Sequence, residues 1–309
     1  MQDDIYLLPY PMFKRIFLFV LTNLAIILVL NIVLFIVFSV FDIRIQDAWL
    51  NYVSLAIFAI VYGFVGAFIS LKMSKWIAKR AYPMKIITDA DTHDPKIGVV
   101  RQTVVHIAQT ENIKMPEIGI YQAKDPNAFA TWPSKNNSLV GVSTALLEQM
   151  NDEEIRGVIA HEMAHIINGD MVTMTLLQGI INAFVIFFAR VLAFALDTAL
   201  SKGRDGAWLG RMWYFAVVIV LDMILGFVGM LVLMSYSRKR EYAADAGSAS
   251  YVGKNAMIAA LRRLQIITQW SKVPQDELAT LKIAGGKSWM KLLSSHPSLE
   301  DRIMHLEMS

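Results

Sequence analysis

The sequence predicts an α-helical membrane protein with a small α+β domain interleaved between its apolar segments. Three observations predict it. Hydrophobic residues make up 55% of the 309-residue chain and charged ones only 18%, against about 25% charged in a soluble globular protein. The apolar residues gather into four runs, each long enough to cross a hydrocarbon core. Between and after these runs lie stretches of ordinary soluble composition with helical and β-type periodicities. The net charge of +3 gives no case for nucleic acid as a partner. The chain has no Cys, so disulfides and thiolate metal sites are excluded and any metal must be held by His and carboxylates.

The first run, Ile16 to Phe41, carries no charge and is followed by no small-residue cleavage site, so it is an uncleaved anchor rather than a signal peptide. A short polar turn with Asp42, Arg44 and Asp47 leads to the second run, Tyr52 to Leu71. Lys14 and Arg15 precede the pair, and Lys72, Lys75, Lys79, Arg80 and Lys85 follow it. Basic residues collect on the cytoplasmic side of a membrane, so both ends of this anchor, residues 1–82 with spans at about 16–41 and 52–71, are expected there.

From Pro83 the composition becomes that of a soluble domain, expected to comprise residues 83–170 and 235–309. Ile97, Val100, Val104, Ile107 and Ala108 recur at helical spacing within Asp94 to Thr110. Glu117 to Tyr121 and Leu139 to Val142 are short β-type runs. Between them, Pro126 and Pro133 bound a segment that proline would keep at a sheet edge. Such a strand is either an ordinary hairpin arm or, beside an active centre, a strip to which an extended peptide adds through main-chain hydrogen bonds.

Asn151 to Asp170 reads as one helix. Asn151 is a good N-cap with Glu154 at capping-box spacing, Asp152, Glu153 and Glu154 suit the positive end of the helix dipole, and Gly169 is a stop. Inside it stands His161-Glu162-Met163-Ala164-His165. Residues four apart share a helix face, so the two imidazoles can grip one Zn²⁺. Glu162 is turned aside by roughly a third of a turn, where it can take a proton from a metal-activated water, the arrangement of zinc metalloproteases.

Met171 to Leu200 carries only Arg190 and Asp197, and Met212 to Met234 only Asp222. These segments, about 171–200 and 212–234 within an inserted stretch 171–234, form either a spanning hairpin or a re-entrant pair. Their hydrophobic length favours the hairpin, with Arg190 and Asp222 able to pair inside it. The excess of Lys202, Arg204 and Arg211 over Asp205 in the intervening loop argues mildly the other way.

Arg238, Lys239 and Arg240 then mark the cytoplasmic side again, and Glu241 and Asp245 follow on a shared helix face. A two-histidine site needs a third protein ligand, which Glu241 can supply. Asp245, one turn on, can hydrogen-bond the far nitrogen of a metal-binding histidine. Tyr251 to Gln269 reads as a helix covering this site, with Leu261, Leu264 and Ile267 inward. Ser298 caps a short final helix, and His93, His106 and His305 read as surface or packing residues.

His161-Glu-Met-Ala-His165, Asn168-Gly169-Asp170, the two apolar segments and Glu241-Tyr-Ala-Ala-Asp245 together resemble the HtpX-type bacterial inner-membrane zinc metalloproteases, relatives of the CaaX prenyl-protein proteases. The resemblance extends to Asn127-Ala-Phe-Ala130 and to Ser295-His296-Pro297-Ser298-Leu299-Glu300-Asp301-Arg302-Ile303. It implies a zincin-like (gluzincin) α+β catalytic domain whose small sheet has an edge strand beside the zinc helix. It also implies one Zn²⁺ per chain held by His161, His165 and Glu241, with Glu162 as base. Asn127, Ala128, Phe129 and Ala130 become the substrate-binding edge, and His296 and Arg302 candidates for steadying an oxyanion. The implied activity is a multi-pass inner-membrane endopeptidase, its catalytic domain cytoplasmic. Its implied role is quality control under stress, acting on misfolded or unassembled membrane and cytoplasmic polypeptides.

Two other readings share parts of the sequence. A prenyl-protein-like processing protease would need more spans around a lipid-accommodating chamber. A transporter or assembly factor would need charges along a pathway, for which Arg190, Asp197 and Asp222 are too few.

Overall fold

The computed structural model describes residues 52–91, 93–200, 210–270 and 294–309, with Ile32 and Ile36. Apart from those two helical isoleucines, the first predicted span lies outside the described residues, as does the loop 201–209. In chain order the elements are α1 (Tyr52–Ala81), β1 (Met84–Ile86), α2 (Pro95–Thr110), β2 (Glu117–Tyr121), β3 (Ala128–Ser134) and β4 (Asn137–Ser143). They continue with α3 (Thr144–Gln149), α4 (Asp152–Asn168), α5 (Asp170–Leu200), α6 (Gly210–Val252), α7 (Lys254–Trp270) and α8 (Leu299–Met308). The chain divides into two compact units, one holding Leu71–Thr173 and Met234–Ser309, the other 52–70 and Met174–Leu233.

In the first unit the strands form a mixed sheet of order β1-β2-β4-β3. β2 and β4 run parallel, while β1 and β3 pair antiparallel with their neighbours. One face of the sheet lies under helices because Ile118, Val140 and Val142 project there to meet Val100, Val104 and Ile107 of α2 and Ile155, Ile159 and Met163 of α4. All of these are buried, and each contributes about 1.5–3 kcal/mol of hydrophobic stabilisation. The second cluster joins Met257, Ile258 and Leu261 of α7 to Leu306 of α8.

Three boundaries differ from the sequence reading. Pro133 does not end its strand: β3 continues to Ser134, with a register shift between Thr131 and Ser134. Proline lacks the N–H that a regular ladder needs, and an edge strand with a local irregularity accommodates it. The helix expected from Tyr251 is broken at Gly253, whose φ of 91° lies in the left-handed region, so Tyr251 and Val252 close α6 and α7 begins at Lys254. Finally, the fourth apolar run ends near Met234 but its helix does not. The run is the first part of the 43-residue α6, which continues without a break through Glu241 and Asp245.

In the other unit, α1 and α5 approach closely where a Cβ on Gly63 would lie 2.6 Å from the Gly179 carbonyl oxygen, the small-residue contact typical of membrane helices. Arg190 Nη1 donates to the Ile186 carbonyl at 2.8 Å and lies 3.5 Å from Asp222 Oδ1, so these two charges of the apolar segments face each other. Phe184, Trp213, Ile219 and Met223 are exposed, a surface suited to lipid. Among the described residues, the helices Tyr52–Ala81, Asp170–Leu200 and the Trp213–Val252 portion of α6 are long and apolar enough to cross a membrane.

Candidate metal centre

The site is built on α4. Its start is set by a reciprocal capping box: Asn151 Oδ1 accepts from the Glu154 amide at 2.9 Å, and Glu154 Oε2 accepts from the Asn151 amide at 2.8 Å. An N-cap of this kind is worth about 1 kcal/mol. Its end is set by Gly169, which adopts φ 72° and donates to the Ile166 carbonyl at 3.1 Å; a Cβ there would be strained.

His161 and His165 project from one face of α4, both buried, with their Nε2 atoms 3.2 Å apart. Glu241 reaches them from α6 because small residues let the two helices come together. A Cβ on Gly247 would lie 2.9 Å from Ala164 Cβ, and Ser248 Oγ donates to the Gly157 carbonyl at 2.9 Å. On the neighbouring face, a Cβ on Gly157 would stand 2.5 Å from the Ala256 carbonyl oxygen of α7. The Glu241 carboxylate is fully buried, with Oε1 3.4 Å from His165 Nε2 and Oε2 3.6 Å from His161 Nε2.

This donor set fits a metal ion. Neither Glu241 oxygen accepts an aligned hydrogen bond from the described residues, although both are buried, a costly arrangement unless a cation lies between the groups. Tetrahedral coordination at about 2.0–2.1 Å places ligand atoms about 3.3–3.4 Å apart, close to the separations found. Of the described residues, His161, His165 and Glu241 form the one group able to hold a metal ion.

The surrounding residues hold these three in place. Asp245 Oδ1 lies 2.9 Å from His161 Nδ1. Arg302 of α8 binds the same carboxylate twice and also brings Nη1 to 3.6 Å from Glu241 Oε2. His296 Nδ1 stands 2.8 Å from Glu241 Oε2, on the exposed side of the site. Burial alone would raise the Glu241 pKa, but His161, His165 and His296 outweigh it and hold the carboxyl well below the usual range. Burial likewise works against charge on Asp245, and hydrogen bonds from Arg302 and His161 overcome it, so this carboxyl is also held down. Glu162 is half-buried and near enough to His165 and Arg302 to favour positive charge on both.

Asp170 stood in the sequence reading only as part of the Asn168-Gly169-Asp170 motif, with no role assigned to it. Its buried carboxylate lies 2.5 Å from His165 Nδ1. The signal for it is an acidic residue directly after the glycine that ends a histidine-bearing helix.

β3 is an edge of the sheet and packs against α4 through Ala128 and Ala130. Asn127, just before the strand, accepts from the Ser143 amide at 2.9 Å. Antiparallel alternation from that pair turns the main-chain groups of Ala128 and Ala130 to the open edge. At Trp132, the next such position, the amide already donates to Met171 Sδ at 3.3 Å. Phe129 projects to the opposite face, where its ring meets Tyr82 and Tyr121 at 5.3 and 5.7 Å.

Residues 96–309 match peptidase family M48. The chain belongs to that family, in its HtpX-type branch. Protease HtpX of Shewanella oneidensis is 46% identical over 295 residues, covering 95% of this chain and 99% of its own. A Protease HtpX homolog of Bacillus licheniformis is 46% identical over 299 residues, with the same coverage of 95% and 99%. The crystal structure of S. mikatae Ste24p superposes with a TM-score of 0.63 at 17% identity, covering 96% of this chain and 67% of that one; at that identity the likeness concerns the fold. This M48 chain is therefore a metalloprotease with membrane-length helices.

Proposed function

We propose that this M48 chain is a zinc-dependent endopeptidase of the bacterial inner membrane. Its catalytic unit faces the cytoplasm and cleaves misfolded or unassembled membrane and cytoplasmic polypeptides, as a quality-control protease under stress. The observation that carries the reading is the 3.2 Å approach of His161 and His165 against the buried Glu241. That set of two nitrogens and one carboxylate matches the ligands of catalytic zinc in peptidases. The basic residues Lys72, Lys75, Lys79 and Arg80 after one apolar run, and Arg238, Lys239 and Arg240 after another, support the cytoplasmic orientation.

Zinc held by His161, His165 and Glu241 would supply Lewis acidity and lower the pKa of a bound water towards neutral. Glu162 accepts the proton of the attacking water and delivers it to the leaving amine. Substrate lies extended along β3, bound by the outward main-chain groups of Ala128 and Ala130, with Asn127 and Phe129 completing that edge. Because those bonds are to the backbone, side-chain preference is loose, which suits unfolded polypeptide. His296 and Arg302 both bring nitrogen donors to the same side of Glu241 and steady the developing oxyanion. Asp245 fixes the ring of His161 through its Nδ1.

The test is cleavage of an unstructured protein by detergent-purified wild type and Glu162→Gln, both loaded with zinc. Cleavage by the wild type alone supports the reading. Equal cleavage by both, or by neither with zinc bound, overturns the assignment of Glu162 or the broad substrate class respectively.

A further inference from the structure

The geometry points to Asp170 as the positioning residue for His165: its carboxylate accepts the Nδ1 proton and so presents Nε2 to the metal. This rests on the metal site proposed above and adds to it the group that sets one ligand's tautomer and ring angle.

The argument begins with burial. Asp170 is 5% exposed, and aspartate is rarely that buried without a partner. The partner is His165, with Oδ2 2.5 Å from Nδ1, the short distance of a charge-assisted hydrogen bond. The same ring turns Nε2 toward His161 Nε2, 3.2 Å away, and toward Glu241 Oε1, 3.4 Å away. One nitrogen thus faces a carboxylate and the other faces the remaining metal-binding atoms. A neutral imidazole holding its proton on Nδ1 has its lone pair on Nε2, which is the form a metal needs.

The local chain explains how Asp170 gets there. Had α4 continued regularly, residue 170 would be rotated well away from His165, because five residues exceed one turn by about 140° at roughly 100° per residue. Gly169 interrupts the helix with φ 72°, and α5 restarts at once with Asp170. The kink brings the new helix's first side chain back over the last turn of the old one. Asp170 is not consumed in capping α5 in place of this role, since the Thr173 amide is satisfied by the Gly169 carbonyl at 3.1 Å. His161 and His165 are consequently held from behind by different carboxylates on different helices, Asp245 of α6 and Asp170 of α5.

The experiment measures metal affinity directly. Full-length wild type, Asp170→Ala and Asp170→Asn are purified in detergent, stripped, and titrated with zinc against a competing chelator; melting of the stripped forms is followed in parallel. Asp170→Ala is expected to weaken zinc binding by about 10–100-fold. Asp170→Asn, whose amide oxygen still accepts from Nδ1, should fall between the two. Zinc affinity of Asp170→Ala equal to wild type overturns the inference. A wild type that binds no zinc sinks instead the metal site on which it rests. For a result independent of any variant's folding, nitrogen-15 histidine spectra of zinc-loaded wild type report the tautomer. Protonated Nδ1 with metal-bound Nε2 at His165 supports the role of Asp170, and metal bound through Nδ1 overturns it.

Discussion

Arg302 grips Asp245 with two parallel hydrogen bonds, Nε to Oδ2 at 2.8 Å and Nη2 to Oδ1 at 2.5 Å. Both residues are buried, and Asp245 passes the contact on to His161. A residue of α8 is in this way tied to His161 on α4 through a single carboxylate.

Replacing Arg302 by Met leaves Asp245 and Glu241 as buried negative charges with one cation fewer. Breaking a buried pair from one side costs about 3–5 kcal/mol. Arg302→Met is expected to lower the stability of the metal-free protein by that order, read from denaturant or thermal unfolding in detergent. Unchanged stability would mean that α8 contributes nothing to holding the site.

Gly247→Ala and Gly157→Ala separate packing from metal binding. Each new methyl collides with a neighbouring helix, Ala164 Cβ at 2.9 Å for the first and the Ala256 carbonyl at 2.5 Å for the second, and overpacking of this kind costs about 1–3 kcal/mol. Only the Gly247 methyl pushes apart the two helices that carry His161, His165 and Glu241; that of Gly157 pushes α4 from α7, which carries none of them. Gly247→Ala should therefore weaken zinc binding more than Gly157→Ala at comparable loss of stability, measured by chelator competition.

Proton and metal compete for His165. Burial disfavours its charge, but the hydrogen bond to Asp170 and the nearby Glu241 carboxylate outweigh that and raise its pKa from 6.5 to about 9 in the metal-free protein. A raised pKa means that the charged form stabilises the fold below 6.5 and that this stability is lost as the pH climbs through about 9. Metal-free protein should thus melt at progressively lower temperature across that window. Zinc must displace the proton, so apparent affinity should rise with pH up to about 9 and then level off. Titration calorimetry in buffers of different ionisation enthalpy would show the released proton.

Alkaline pH acts elsewhere. Burial pushes the Tyr251 hydroxyl up from 10.0 to about 12, helped by its hydrogen bond to Glu111, and burial lifts Tyr121 to about 12 as well. Both hydroxyls are kept neutral by the fold, so their contribution is intact below pH 10 and falls as pH rises towards 12. Tyr251→Phe should flatten that alkaline loss in a melting series, at a cost of about 1 kcal/mol at neutral pH for the missing hydrogen bond.

How much of this was legible in the sequence depended on how local each cause is. The helix bearing His161 and His165 announces itself because cap, acidic first turn and terminal glycine all lie within it. The β-type run Glu117 to Tyr121 was read with its observed bounds, since its alternation needs no distant partner. Glu241 was picked out only because a two-histidine metal site would need a third ligand, and the structure brings it beside His161 and His165. The continuity of α6 was missed, as the change from apolar to basic residues near Arg238 is a change of surroundings and not of backbone, and no Pro or Gly interrupts it there. The contact of Asp170 with His165 stayed hidden because its position depends on the sign of one φ angle, at Gly169. The extension of β3 past Pro133 likewise reflects a register slip against β4 that pattern alone does not carry.

The single helix α6 also orders events in time. A ribosome delivers His161, Glu162 and His165 first, then the apolar lengths of α5 and α6, and only afterwards Glu241, with Arg302 later still. Until both apolar lengths have been made, the nascent chain has His161, Glu162 and His165 but not Glu241. Under the proposed assignment, the cell never holds a competent peptidase whose hydrophobic segments are still waiting to be synthesised.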